Sequence, residues 1–188
     1  MMKMRARKRK KVRMSGQKKL ILFLDIISIL ILIALDQYTK YLAVIRLKNK
    51  PAFSLINGIL ELNYLENKGA AFGMLQNQKF LFIFVAAVIL CVIAYILYKT
   101  PDTKKYRLLD ILLILIASGA IGNMIDRIRL DYVVDFIYIV LINFPIFNIA
   151  DMYVSFATVI LILALLFYYK EQDLSFISFQ QKRYREIK

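Results

Sequence analysis

The stretch FLFIFVAAVILCVIAYILY, residues 80–98, decides the fold class of this chain, because it carries no charged side chain. A helix needs about 20 mostly apolar residues to cross a bilayer core that is about 30 Å thick. Similar stretches lie at about residues 20–45, 108–125 and 152–169. The first is longer than the apolar part of a cleaved signal peptide, and no small-x-small cleavage site follows it. The sequence therefore predicts an all-α membrane protein with four transmembrane helices.

The composition of the chain excludes several classes of catalytic site. Its 188 residues include no His and one Cys. A His-based metal site, a Ser-His-Asp triad, a Cys-His pair and an internal disulfide are therefore impossible. Any catalysis must use carboxylates, Lys, hydroxyl groups or the lone thiol.

The positive charges predict which ends of the helices face the cytoplasm. Residues 1–19 hold ten basic residues and no acidic one, four more lie between the second and third stretches, and five follow the fourth. Nineteen of the 27 basic residues thus fall on one side. We expect both termini in the cytoplasm, and residues 46–79 and 126–151 outside. The predicted organisation is one membrane domain, residues 20–170, between two tails, residues 1–19 and 171–188.

The basic run RARKRKKVR, residues 5–13, also resembles a nucleic-acid-binding segment. It lies just before a membrane span, however, and no aromatic side chains interrupt it. A role in fixing the topology and contacting anionic lipid explains it better. We therefore expect membrane lipid as a partner and no nucleic acid.

Polar residues inside membrane helices are functional candidates by default, because lipid disfavours them. Asp36 and Lys40 lie four residues apart, so they share a face of the first helix and suit an ion pair. A structural role explains this pair as well as catalysis does. In the third helix Gly119, Asn123 and Arg127 recur every fourth residue and line one stripe. Asn123 can hydrogen-bond to a neighbouring helix there, and Arg127 can reach carboxylates.

Two isolated carboxylates stand in the apolar segment DYVVDFIYIVLINFPIFNIAD, residues 131–151. Asp135 could be a strand residue that faces solvent, and Asp151 could be a helix N-cap. Brought together in an apolar site, the two would share a proton. The ionised one could then activate water, and the protonated one could donate to the carbonyl oxygen and the leaving amine. This is aspartic-protease chemistry, and we expect neither a metal ion nor another cofactor.

The segment that follows the first helix predicts a short hairpin. Asn57 and Gly58 form a turn signal between two apolar stretches. The small residues of GAAFG, residues 69–73, suit close contact with an extended peptide, although an ordinary exposed loop explains them equally well.

Five short motifs resemble the signature blocks of the lipoprotein signal peptidase family, which is also called signal peptidase II. Their order and spacing agree with that family over about residues 20–170. The motifs are DQYTK (36–40), NKGAAFG (67–73), SGAIGNMIDR (118–127), VVDFI (133–137) and FNIAD (147–151).

The resemblance implies an aspartic endopeptidase of the bacterial cytoplasmic membrane, with its active site near the outer face. Such an enzyme removes the signal peptide from diacylglyceryl-modified prolipoproteins by cutting just before the lipidated Cys. The implied fold is four helices with a small extracytoplasmic β-cradle, and we expect a monomer that the cyclic peptide globomycin inhibits. The implied catalytic pair is Asp135 and Asp151. The implied substrate-binding or site-shaping residues are Asp36, Lys40, Asn67, Gly119, Asn123, Arg127 and Asn148.

Three neighbours of the motifs depart from the family pattern. Ser118 and Asp131 stand where Gly is common, and Met152 stands where Ser is frequent.

Two other classes of protein remain as alternatives. A small transporter would use Asp36, Lys40 and Arg127 as an ion path, but it would place polar residues near the membrane midplane. A non-catalytic subunit that binds signal peptides would need the apolar spans but not both carboxylates.

Overall fold

Four long helices and one small sheet make up the computed structural model, which describes residues 15–69 and 74–177. Each of the four helices is long and apolar enough to cross a membrane. The helices are α1 (Gly16–Leu47), α2 (Lys79–Lys99), α3 (Arg107–Leu130) and α4 (Ile149–Leu163), and the strands are β1 (Phe53–Ile56), β2 (Leu60–Asn67) and β3 (Val133–Ile139). The prediction of a four-helix membrane protein with a small sheet is confirmed. The predicted tails lie largely outside the described residues.

The helices extend beyond the predicted apolar spans. The first begins at Gly16 and is capped by the Ser15 hydroxyl, the third continues to Leu130, and the fourth begins at Ile149 and ends in a π-helical turn over Ala164–Tyr168. Apolar length finds the part of a helix that lies in lipid, whereas polar first and last turns project past it. The apolar stretches therefore indicate the membrane-crossing part of each helix and not its first and last residues.

Helix α3 is the centre of the bundle, because it packs against each of the other three helices. Small residues let α4 approach it closely. A side chain at Gly119 would meet the Ala150 carbonyl and would come within 2.7 Å of Val154 Cγ2. Large apolar side chains such as Phe84 and Phe156 lie exposed on the outside of the bundle. Such a surface suits lipid rather than water.

The sheet is antiparallel, with the strand order β1-β2-β3. The predicted hairpin is confirmed: β1 pairs with β2, and Gly58 adopts a φ of +70° at the turn between them. Strand β3 adds to the free edge of β2, so that Asp135 pairs with Leu65. After β3 the chain folds back, and Phe147 bridges to Ile137. This return brings the start of α4 beside Asp135.

The two helix ends beside the sheet explain two sequence features. Asn148 is the N-cap of α4, and Asp151 is its third helical residue, so the N-cap alternative for Asp151 was wrong. Asn148 and Asp151 form a reciprocal capping box, in which each side chain accepts a backbone N–H of the other. At the end of α3, Asp131 has a φ of +69°. This left-handed conformation favours glycine, so Asp131 stands at a position that a Gly would occupy with less strain.

Candidate active site

A cavity of about 430 Å³ opens where α3 ends, β3 passes and α4 begins. Its polar lining combines two carboxylates with amide and guanidinium groups, and its remaining walls are largely apolar. The polar side chains are Asn67, Asn123, Arg127, Asp135 and Asp151, and the apolar ones include Phe144, Phe147, Met152 and Phe156. The structure thus brings both predicted catalytic residues to one cavity.

Asp135 is almost completely buried, with 1% of its surface exposed. The alternative that it faces solvent is therefore wrong. Its carboxylate accepts hydrogen bonds from Asn67 Nδ2 at 2.8 Å and from Asn148 Nδ2 at 2.6 Å. Burial, and then the nearby Asp151 carboxylate, raise the pKa of Asp135 from its ordinary value to about 7. This carboxyl group can therefore carry a proton near neutral pH.

Asp151 is held from two sides. Its Oδ1 accepts a hydrogen bond from Asn123 Nδ2 at 2.7 Å, and its Oδ2 accepts one from the Asn148 backbone N–H at 3.1 Å. Asp151 also lies in the first turn of α4, at the end of the helix that carries a partial positive charge. The structure therefore fixes the Asp151 carboxylate at the cavity that Asp135 also lines.

Asn148 connects the two carboxylates. Its side-chain oxygen caps the Asp151 backbone N–H at 3.0 Å, while its Nδ2 donates to Asp135 and, at 3.2 Å, to Asn123 Oδ1. The side chain is completely buried. A buried and fully bonded amide holds its neighbours in one arrangement. Asn148 therefore fixes the relative positions of β3 and α4 at the cavity.

A buried ion cluster supports the cavity from behind. The ammonium of Lys40 lies 2.9 Å from Asp36 Oδ2 and 2.9 Å from Asp126 Oδ2, and it donates to Asn123 Oδ1 at 2.9 Å. Asp36 also accepts the backbone N–H of Ala150 at 3.0 Å. The expected pair of Asp36 and Lys40 is therefore present, and it joins α1 to α3 and to the first turn of α4.

Asp126 is a further residue of this cluster, and its role was not predicted from the sequence. Besides Lys40, it binds the backbone N–H of Val134 at 3.2 Å and the side chain of Gln37 at 2.9 Å. It thus fixes the start of β3, one residue before Asp135. The available signal was its position three residues after Asn123 on α3, which places both side chains on the same side of the helix.

Arg127 and Asn67 lie on the other rim of the cavity. The guanidinium of Arg127 donates to the Gly69 carbonyl at 3.0 Å and stacks over the Phe82 ring with 4.5 Å to the ring centroid. Asn67 Oδ1 accepts the Gly69 backbone N–H at 2.9 Å. Both residues therefore position the chain that follows β2. The rest of the GAAFG stretch, residues 70–73, lies outside the described residues.

Four of the predicted site residues do not line the cavity. Three of them, Asp36, Lys40 and Asn148, belong to the hydrogen-bonded and ion-paired groups described above. The fourth is Gly119. It lies one turn before Asn123 on α3, where it contacts the start of α4. Its role in the structure is the close packing of α3 against the start of α4.

Comparison with known proteins identifies the family. Residues 28–167 match the family described as signal peptidase (SPase) II. The chain belongs to this family. It is 42% identical over 147 residues to a lipoprotein signal peptidase of Streptococcus thermophilus strain CNRZ 1066, with 78% of this chain and 93% of the relative covered. It is 38% identical over 150 residues to one of Streptococcus pyogenes serotype M5, with 80% and 95% covered.

Solved structures agree with this assignment. The fold is similar to a bacterial membrane enzyme determined by the in meso method at 2.3 Å resolution, with a TM-score of 0.70, 31% identity, and 79% of this chain and 92% of the other covered. A second such structure, at 1.9 Å resolution, gives a TM-score of 0.68 at 31% identity, with 78% and 94% covered. The resemblance stated from the motifs is confirmed, and the chain is a peptidase of the bacterial membrane.

Proposed function

We propose that this chain is an aspartic endopeptidase that removes the signal peptide from diacylglyceryl-modified prolipoproteins, with Asp135 and Asp151 as its catalytic pair. One observation carries this proposal. Two carboxylates from different elements face one cavity, and both are bound by Asn148. The names of its relatives in Streptococcus supply the substrate class.

The two carboxylates can perform hydrolysis between them. A water bound between them gives a proton to the ionised Asp151 while its oxygen attacks the scissile carbonyl carbon. The protonated Asp135 gives its proton to the carbonyl oxygen, so a neutral gem-diol forms. Collapse of this intermediate returns the proton to Asp135, breaks the C–N bond and passes the proton on Asp151 to the leaving amine. The pair then again holds one proton.

The surroundings of the pair suit a substrate that stays in the membrane. Aromatic side chains and Met152 form the cavity walls, and the outer faces of the helices are apolar. Lateral entry from the bilayer would therefore bring the lipidated cysteine and the signal helix to the site together. This proposal includes the predicted topology, in which both termini are cytoplasmic, the site lies near the outer face and cleavage occurs just before the lipidated Cys.

The test is a cleavage assay with the purified full chain in detergent, read as a shift of the precursor on a gel. The wild type should cleave the diacylglyceryl-modified precursor but not the unmodified one. Asp135→Asn and Asp151→Asn should each abolish cleavage while remaining folded, because the substitution is nearly isosteric. Asp173→Asn is the matched control, since Asp173 pairs with Lys105 at the other end of the bundle.

Two outcomes would contradict the proposal. Substantial turnover by either Asn variant would remove that residue from the catalytic pair. Binding of the lipidated precursor by folded wild-type protein without any cleavage would favour the alternative of a signal-peptide-binding subunit. We further expect globomycin to inhibit the wild type and the purified protein to be a monomer.

A further inference from the structure

A second cavity, of about 130 Å³, lies at the end of the bundle opposite the catalytic pair. It is formed by the first turns of α1 and α3 and by the connection before α3. Its charged lining residues are Lys18, Asp25, Asp102, Arg107 and Asp110. We propose that this cavity binds the headgroup of a membrane phospholipid that carries a primary ammonium group.

Two carboxylate oxygens in this region have no hydrogen-bond partner. Asp25 is 9% exposed, and its Oδ2 is buried and unbonded, as is Oδ1 of Asp110. Within residues 15–69 and 74–177, no cation lies within ion-pair distance of either carboxylate. Lys18, the nearest basic residue on α1, instead donates to the Thr100 carbonyl at 2.8 Å. Buried acceptors are almost always bonded, so these two indicate a donor other than the residues that the structure describes.

The donor that fits best is an ammonium group with N–H bonds. The cavity far exceeds the roughly 10–15 Å³ that one water needs, so it can hold a larger polar group. The described residues contain no group of three or more acidic, Cys or His side chains with the spacing of a metal site. An ammonium bound to two carboxylates needs no such set, because each of its N–H bonds can meet one oxygen.

The lining also carries the opposite charge. Lys18 and Arg107 border the same cavity as the three carboxylates. A guanidinium is well suited to bind a phosphate. A headgroup that joins a phosphate to an ammonium through a short linker would therefore find both of its charges matched.

The cavity borders the lipid-facing surface. Leu24 and Ile111 both line it, and they are 52% and 54% exposed on the outside of the bundle. An acyl chain attached to a bound headgroup could therefore continue along α1 and α3 without leaving the apolar surface. This continuity favours a lipid over a soluble amine.

The basic start of a signal peptide is a less suitable occupant. Asp110 precedes Asn123, which binds Asp151, by thirteen residues on α3. At 3.6 residues per turn this spacing is about 220° of rotation, so the two residues point to different sides of the helix. A signal helix that reaches the catalytic pair along one side of α3 would not pass this cavity. A Lys side chain would also lack the phosphate that Lys18 and Arg107 would bind.

Native mass spectrometry of the full chain tests the proposal, with phosphatidylethanolamine and phosphatidylcholine of identical acyl chains as probes. The trimethylammonium group of phosphatidylcholine has no N–H bond, so the two lipids differ in the feature that the free carboxylate oxygens require. We expect the protein to retain phosphatidylethanolamine at least tenfold better. Asp25→Asn and Asp110→Asn should abolish this preference, and the control Asp173→Asn should keep it.

Carbodiimide labelling of the wild type, followed by peptide mass spectrometry, gives a readout that needs no variant. The carbodiimide should couple the bound amine of phosphatidylethanolamine to Asp25 or Asp110 as an amide, with release of the urea, and phosphatidylcholine, which has no N–H bond, should form no such amide. Equal retention of the two lipids, an unchanged preference in both Asn variants, or equal labelling in both lipids would overturn the proposal. Displacement of the lipid by an equal concentration of soluble phosphoethanolamine, or by a basic signal peptide, would also overturn it, because the occupant would then not be a lipid.

Discussion

Replacing Asn148 by Ser and by Ala separates two roles that this buried side chain combines. Its oxygen caps α4, and its amide nitrogen binds Asp135 at 2.6 Å. Serine is a good N-cap but is too short to span the distance to the Asp135 carboxylate, whereas alanine can do neither. The Ser variant therefore removes the link to the catalytic pair and keeps the cap.

The sizes of the two effects follow from the bonds that are lost. A hydrogen bond to a charged group contributes about 1.5–3 kcal/mol. If that contribution supports the transition state, its loss lowers kcat/KM about 10- to 150-fold in both variants. Loss of the helix cap costs about 1 kcal/mol of stability. Because only the Ala variant loses the cap, it should melt at a lower temperature than the Ser variant.

The assay compares cleavage rates of the lipidated precursor and thermal melting of the two variants with the wild type. The Asn148 amide favours the charged form of Asp135, so its removal should shift the alkaline limb of the pH profile upward. Wild-type activity in the Ser variant would refute this reasoning, because the helix cap alone would then account for the contribution of Asn148 to activity. A loss of activity confined to the Ala variant would lead to the same conclusion.

Three further predictions concern the cluster, the helix contact and the shared proton. Lys40→Met should lower the free energy of unfolding by about 3–5 kcal/mol in thermal unfolding, because it leaves two buried carboxylates unpaired. The control Lys48→Met removes an exposed ion pair and should cost less than about 1 kcal/mol. Equal effects of the two substitutions would contradict the argument that the cluster is buried. Gly119→Ala should lower both the melting temperature and the activity, because the added methyl group meets the α4 backbone. The control Gly16→Ala places its methyl group in open space and should change neither. An unchanged melting temperature of the Gly119→Ala variant would contradict the close contact. Because its environment raises the pKa of Asp135 to about 7, this carboxyl group holds its proton below that pH and loses it above. We therefore expect kcat/KM to fall on the alkaline side of pH 7. A constant kcat/KM up to pH 9 would exclude this proton from the mechanism.

Sequence periodicity found the features that depend on neighbours along the chain. The four spans, the turn at Gly58 and the pair of Asp36 with Lys40 all follow from local spacing, and the structure contains each of them. Family motifs pointed to Asp135 and Asp151 because their local patterns are distinctive.

Contacts between distant segments could not be read in this way. Asp126 of α3 joins Lys40 of α1 to the start of β3, and its own neighbours along the chain indicate neither contact. Asp25 and Asp110 line one cavity only because α1 packs on α3. Spacing on one helix does not show which residue of another helix lies opposite, since that depends on the packing of both.

Burial and the surrounding charges both act on the proton of the proposed catalytic pair. Four carboxylates and two basic groups meet where α3 ends: Asp36, Asp126, Asp135 and Asp151 with Lys40 and Arg127. The ammonium of Lys40 is already shared by two carboxylates, so it cannot fully neutralise a third. Arg127, on the cavity rim, leaves one further negative charge unmatched. A buried site lowers such an excess by binding a proton, and burial and the Asp151 carboxylate both raise the pKa of Asp135. The Lys40 ammonium acts in the opposite direction and lowers the pKa of Asp135. Burial and the second carboxylate therefore favour the proton that the proposed hydrolysis requires, whereas the supporting cluster holds the helices together.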